Sequence, residues 1–372
     1  MYRGPIIDSD VHHTWKDQRD LVSYLPQHWK EFAQGPGDGR LVSLLPAGLT
    51  YPQRHGHNKR LETFPPGGGP AGSDYDLMKE QLLDRFNMER VILHYDTGLN
   101  VGHLNPYFAA ALSQAANDWC IDHWLSGQDE RFFGAVLIPS QIPELAAKEI
   151  RRIGRHPKMV EVLLTMSGIG RPLGHPLYHP IYEAAVEMGL PVAIHVAIVG
   201  PAAEFAGGRP GSRVEFHTLL SQPAQHHLVS LLTHGVFEKF PDLRIALVEV
   251  GISWIPWIIW NLDANYALLK LENPAIRHLP SEYFREHIRM TTQPMELSPQ
   301  REDLIELLDS FGGMEDTLCF ATDYPHWDAD DPLYTARRLP DSWLPKVFYQ
   351  NALKFYRWPQ PASVRDAVLR HA

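Results

Sequence analysis

Ile6-Ile7-Asp8-Ser9-Asp10-Val11-His12-His13 is the stretch from which the rest of the chain can be read. Two apolar residues lead into a carboxylate and an imidazole two positions apart. In a strand, residues i and i+2 share a face, so Asp10 and His12 are expected to project together where that strand ends. Such a pair suits one metal ion, although Asp-x-His alone turns up by chance in many chains. Its weight comes from three more donors, each at the end of an expected strand.

Further strands are expected at 90–96, 132–139, 160–166, 190–196, 243–249, 288–293 and 317–323, with helical patterns between them. Ser73-Asp74 ahead of Leu77, Met78, Leu82 and Leu83 reads as an N-capped helix, and Gly189 closes another. Regular alternation of strand and helix implies parallel pairing. Eight such units in roughly 300 residues are what a closed (β/α)8 TIM-like barrel requires. An open doubly wound sheet is the runner-up, weakened because no Gly-rich phosphate loop follows the first strand. The whole chain, 1–372, is read as one domain. Residues 35–72 shift to Gly, Pro and polar residues and read as a lid-like insertion over the active face, or as a surface or oligomer-contact loop.

Composition narrows the function. Hydrophobic residues make up 44%, and the net charge is -10. That charge argues against non-specific nucleic-acid binding. No run approaches the ~18–20 apolar residues of a membrane span. Met-Tyr-Arg-Gly-Pro runs directly into the first strand, so no signal peptide is expected, and the two cysteines, Cys120 and Cys319, are expected to be reduced thiols. A cytoplasmic enzyme acting on a small molecule fits these traits. The 20 histidines make a metal site plausible and also ensure that most of them are bystanders.

In such a barrel the working side chains sit at the C-terminal ends of strands. Asp10 and His12 end the first strand, His195 the fifth, Glu249 the sixth and Asp323 the eighth. A lone His at a strand end is more often structural, but a carboxylate after an apolar run must be paired or metal-bound. Converging at one rim, these five side chains call for a cation. His94, Arg209, Arg213, His217 and Gln293 are candidates for substrate contact. His326, after Asp323 and Tyr324, is a candidate proton relay, and His13 should face away from the pocket. His226, His227 and His234 fall on or after helices and are read as structural. Trp254-Ile-Pro-Trp257-Ile-Ile-Trp260 is apolar on more than one helical face, which suits core packing or a subunit interface. A homodimer or larger assembly is expected, with a related second subunit as the alternative.

Several stretches resemble signatures of the amidohydrolase superfamily: Ile7 to His12, Pro191-Val192-Ala193-Ile194-His195, Gly235 to Leu243, Gly251-Ile252-Ser253-Trp254-Ile255-Pro256 and Thr322-Asp323-Tyr324-Pro325-His326. The branch most similar includes aminocarboxymuconate-semialdehyde decarboxylase and the hydroxybenzoate decarboxylases. The resemblance runs in order over nearly the whole chain. It implies a distorted (β/α)8 barrel holding a divalent metal, with Asp10, His12, His195 and Asp323 at matching ligand positions. Where many decarboxylase relatives carry His in an Ala-His-Gly-Gly-type stretch, this chain has Val248-Glu249-Val250-Gly251. Glu249 then stands either as an acid/base or as a ligand of a second metal.

Imidazole nitrogen with carboxylate oxygen suits Zn²⁺, Mn²⁺ or Fe²⁺. A hydrolase would use metal-activated water, with Asp323 or Glu249 taking the proton. A decarboxylase would hold a substrate carboxylate on the same metal. The added carboxylate also suits a dinuclear iron or manganese hydroxylase that uses dioxygen. The non-enzyme alternative is a metal-binding structural subunit of a hetero-oligomer.

Overall fold

The computed structural model describes residues 2–34, 58–96, 105–127, 129–166, 170–196, 205, 207–208 and 210–359. One sheet runs in chain order through β1 (Ile6–His13), β2 (Met88–Tyr95), β3 (Phe132–Leu137), β4 (Met159–Thr165), β5 (Val192–His195), β6 (Ile245–Val248), β7 (Ile288–Thr291) and β8 (Leu318–Cys319). Every neighbouring pair is parallel. The two ends of the sheet meet where Ser9 N–H donates to Phe320 O at 2.9 Å and Asp323 N–H to Asp10 O at 3.0 Å, beside a parallel bridge between Val11 and Tyr324. The result is the (β/α)8 barrel that the alternating pattern implies.

The strands are largely buried on both faces because helices cover the outside while side chains fill the inside. The helix Pro106–Cys120 shows how one such cover forms. Asn105 accepts hydrogen bonds from the N–H groups of Tyr107 and Phe108, Pro106 occupies the first turn, and Phe108, Leu112, Ala115 and Trp119 are buried at helical spacing. Gly189, at φ +71°, ends the helix His179–Met188 in the left-handed conformation that glycine adopts without a Cβ clash.

The eighth strand departs from expectation. It is only Leu318–Cys319, where 317–323 reads as a full strand. Side chains replace the ladder beyond it. Ala321 N–H donates to Thr292 Oγ1, and Thr322 N–H donates to Asp8 Oδ1 while Thr322 Oγ1–H donates to Asp8 Oδ2. The buried carboxylate of Asp8 thus stitches the first strand to the segment after the eighth; burial pushes its pKa up to about 7. After the eighth strand, a π-helical turn, Lys346–Gln350, leads into the helix Asn351–Phe355.

Of the insertion at 35–72, residues 35–57 lie outside the described residues. Its described end crosses the rim: Lys59 bridges His326 in antiparallel fashion, and Arg60 N–H donates to Pro325 O. Trp254 is buried, whereas Trp257 and Trp260 are 55% and 47% exposed. Among the described residues no helix is long and apolar enough to cross a membrane.

Phe348 packs between Phe320 and Tyr2, its ring 4.7 Å from that of Phe320 and stacked 5.0 Å from that of Tyr2. It is fully buried. Phe348→Ala is expected to destabilise the fold by about 3–5 kcal/mol through lost burial and the cavity left behind. A guanidinium titration that finds the unfolding midpoint unmoved would contradict this packing.

Candidate metal centre

Asp10 and His12, two positions apart in β1, share a face and both turn into the barrel mouth. His12 Nε2 lies 3.2 Å from Asp10 Oδ1 and 3.1 Å from Asp323 Oδ1. His195, ending β5, puts Nε2 3.6 Å from Asp10 Oδ2 and 3.7 Å from Glu249 Oε2. Its Nδ1 lies 2.6 Å from Val196 O. That nitrogen therefore carries the hydrogen, and the lone pair is on Nε2, facing the mouth.

Asp10 Oδ2, His12 Nε2, His195 Nε2 and Asp323 Oδ1 are all buried without an aligned hydrogen-bond partner. Buried polar atoms are normally paired, because leaving one unpaired costs roughly 1–3 kcal/mol. Unpaired lone pairs that converge from different strands are a donor set for a cation. Donor atoms of Asp10, His12 and His195 lie within 4.8 Å of one another, and so do those of His12, Asp323 and His326. Two imidazoles and two carboxylates fit a divalent Zn, Mn or Fe ion.

Asp323 stands past the end of β8 and reaches the mouth by a strained backbone. Its φ is +59°, and Glu249 just past β6 has φ +58°. Left-handed backbone at non-glycine residues costs energy and gathers at functional sites. Glu249 N–H donates to Thr291 Oγ1 at 3.1 Å, holding that turn in place. Burial, and then the charge of Asp323, push the Glu249 carboxyl well above its ordinary pKa. Asp323 goes the other way: burial opposes its charge, but His326 and His12 outweigh that and hold it below the carboxylate range. Asp10 is likewise held well below that range by His12 and His195, against the effect of burial.

The remaining expected residues divide. His326 Nδ1 is 2.6 Å from Asp323 Oδ1, and its Nε2 lies 2.5 Å from Lys59 Nζ and 3.4 Å from Asp96 Oδ1. Lys59 and Asp96 form an ion pair beside it. Gln293 Nε2 donates to Asp323 Oδ2 at 3.2 Å and to Asp328 Oδ2 at 3.4 Å. His217 Nε2 is 2.6 Å from Asp328 Oδ2. With Trp327, Met295, Tyr334 and Arg60, it lines a cleft of about 730 Å³ on this side of the barrel. Arg213 instead lays its guanidinium over the ring of Phe216. Arg209 lies outside the described residues.

His94, near the end of β2, is open from sequence to a substrate contact or to a buried structural role. It is fully buried, with Nδ1 2.8 Å from Asp10 Oδ1 and Nε2 2.6 Å from Glu161 Oε1, so neither nitrogen is left for a ligand. Burial disfavours a charge there, but Asp10 and then Glu161 push its pKa up to about 10. His13 faces outward and stacks on Trp119, and His227 is held by Leu173 N–H and Met166 O. Glu161, Asp96 and Lys59 are the participants that sequence reasoning missed. Glu161 had a signal: a single carboxylate inside the apolar run Val160 to Leu164.

A family model described as Amidohydrolase matches residues 7–358. A gamma-resorcylate decarboxylase of Rhodococcus jostii is 27% identical over 264 residues, which cover 68% of this chain and 78% of that protein. An amidohydrolase structure from Mycobacterium avium subsp. paratuberculosis has a TM-score of 0.70 at 19% identity, covering 98% of this chain and 100% of that one. The dihydroxybenzoic acid decarboxylase of Polaromonas, solved with manganese and the inhibitor 2-nitroresorcinol, has a TM-score of 0.63 at 18% identity, covering 96% and 98%. At these identities the two structures speak for the fold.

Proposed function

The chain belongs to the Amidohydrolase family, and from that premise we propose that it is a decarboxylase of small hydroxylated aromatic carboxylic acids that works with one divalent cation. One observation carries this reading: Asp10 Oδ2, His195 Nε2 and Asp323 Oδ1 are gathered around His12 Nε2 in two donor groups that share it, all of them buried without an aligned hydrogen-bond partner. Relatives named as gamma-resorcylate decarboxylases support the substrate class. Manganese is held on the same fold in the dihydroxybenzoic acid decarboxylase, and is the ion to load first.

A divalent cation held by Asp10, His12, His195 and Asp323 would supply positive charge to a substrate carboxylate. The chain's own residues orient the ring and move the proton. The cleft lined by Trp327, Met295 and Tyr334, at about 730 Å³, is of a size for a single-ring acid. Gln293 and His326 hold Asp323 from two sides. Two carboxyls whose environments push them apart divide into acid and base; burial, and then the charge of Asp323, push Glu249 upward, which makes it the acid of the pair. The bond from ring carbon to carboxyl breaks, its electron pair stays on the ring carbon and takes the proton from Glu249, and carbon dioxide leaves. Glu249 is left ionised and regains its proton from solvent.

A second reading, a two-metal hydroxylase that consumes dioxygen, is favoured by the second donor group of His12, Asp323 and His326 close to Glu249. Two measurements separate the readings: metal atoms per chain, and carbon dioxide released from 2,6-dihydroxybenzoate and its analogues with and without dioxygen. One cation per chain and oxygen-independent release are expected. Two irons per chain, with turnover that stops when dioxygen is removed, would replace the decarboxylase with the hydroxylase. A homo-oligomer is part of the proposal, supported by Trp257, Trp260 and Leu268, which stand 55%, 47% and 82% exposed along one helix.

A further inference from the structure

Beneath the four converging donors a second polar chain runs down the inside of the barrel, and the proposed reaction makes no use of it. Asp10 Oδ1 lies 2.8 Å from His94 Nδ1, and His94 Nε2 lies 2.6 Å from Glu161 Oε1. The other Glu161 oxygen accepts a 2.9 Å hydrogen bond from the Tyr356 hydroxyl. Asp10, His94 and Glu161 are wholly buried, and Tyr356 is 9% exposed. The links come from β1, β2, β4 and the residue that follows the helix Asn351–Phe355. Tyr356 also lines a cleft of about 450 Å³ with Arg155, His156, Met188 and Trp358, beside the segments that lead into β4 and β5. The chain therefore spans the barrel from its N-terminal face to the metal-binding mouth.

Stability gives no reason for Glu161 to be there. Barrel interiors are filled by branched aliphatic side chains, and replacing a buried ion pair with well-packed apolar residues is often neutral or stabilising. The effect of the chain falls on Asp10. Carboxylates accept, so an imidazole between two of them is turned by both and cannot swing aside. Asp10 Oδ1 is thereby committed to the core side, and Oδ2, 3.6 Å from His195 Nε2 and unpaired, is the oxygen presented to the mouth.

We infer that Glu161 and Tyr356 are positioning residues of the metal centre: acting through His94, they fix the orientation of Asp10 and so set how tightly the cation is held. The inference rests on the reading of the barrel mouth as a metal site. Groups that orient ligands from behind typically account for 10–100-fold in metal affinity.

The test uses the full chain, stripped of metal and titrated with Mn²⁺, with free ion followed by electron paramagnetic resonance and the metal-free melting temperature recorded alongside. Glu161→Gln keeps the shape and removes the charge; its affinity for Mn²⁺ is expected to fall about 10–100-fold. Tyr356→Phe keeps the packed ring, so it folds even if the first variant does not; a loss of about ten-fold, at the lower end of that range, is expected. Metal-free melting should stay close to that of the parent in Tyr356→Phe, whereas Glu161→Gln, which leaves the buried His94 imidazole one carboxylate fewer, is expected to melt lower. Affinities within two-fold of the parent, whatever the melting temperatures do, overturn the inference and leave the metal centre standing. A parent that binds no manganese, zinc or iron overturns the centre and this inference together.

Discussion

Asp323→Asn is expected to lower turnover by about 10³-fold, within the usual ~10²–10⁴-fold range for a group that handles protons or charge at the reacting centre, and to leave less than one cation per chain. The choice of Asn follows from the backbone. Asp323 has φ +59°, a conformation that Asn and Asp tolerate and that would strain most other residues. The variant keeps the size of the side chain and can still accept from Gln293, which now bonds Asp323 Oδ2. It loses the negative charge beside His12 Nε2, 3.1 Å away, and beside His326 Nδ1, 2.6 Å away. The fold should hold, because Asn fits the same left-handed backbone and keeps the hydrogen bond from Gln293. Carbon dioxide release and elemental analysis on the same sample give the answer. Full turnover with full metal content would remove Asp323 from the site.

Stripping the cation with a chelator is expected to bring carbon dioxide release to background and to lower the melting temperature by a few degrees, both restored by Mn²⁺. An ion present at 100 times its dissociation constant stabilises the folded state by about 2.7 kcal/mol, provided it binds only that state. A chain of this length converts such a change into a small shift of the melting midpoint. The direction follows from the site. Without a cation, Asp10 and Asp323 keep their charges on either side of His12, and the buried lone pairs of His12 and His195 stay unpaired. A chelated protein that melts where it did before and still turns over would show that these four donors hold no metal.

Much of the barrel and of its donor set is legible in the order of residues. Burial on both faces makes the strands of a parallel barrel read as continuous apolar runs, and Val192-Ala193-Ile194-His195 is such a run with a donor at its end. Asp10 and His12 are legible because two-residue spacing is itself a geometric statement in a strand. His94 is not, because its position at the end of β2 is the same whether its ring faces a substrate or another carboxylate. The difference lies in Glu161, two strands away and 67 positions later in the chain. The apolar pattern overstates strand eight for a similar reason. The side chains of Asp8 and Thr292, distant in sequence, take over the hydrogen bonds of residues 321 and 322.

The order of apolar and polar residues determined by itself that eight strands alternate with helices and that carboxylates and imidazoles stand at the strand ends. Those are local facts of burial and periodicity, present in any window of the chain. Only the tertiary structure decided which of the 20 histidines meet, which oxygen of Asp10 faces the mouth, and that Glu249 and Asp323 turn inward through left-handed backbone. The physical reason is that barrel closure brings β1 against the segment after β8, more than 300 positions away, as in the bond from Thr322 to Asp8. No local pattern records which side chains that closure makes neighbours.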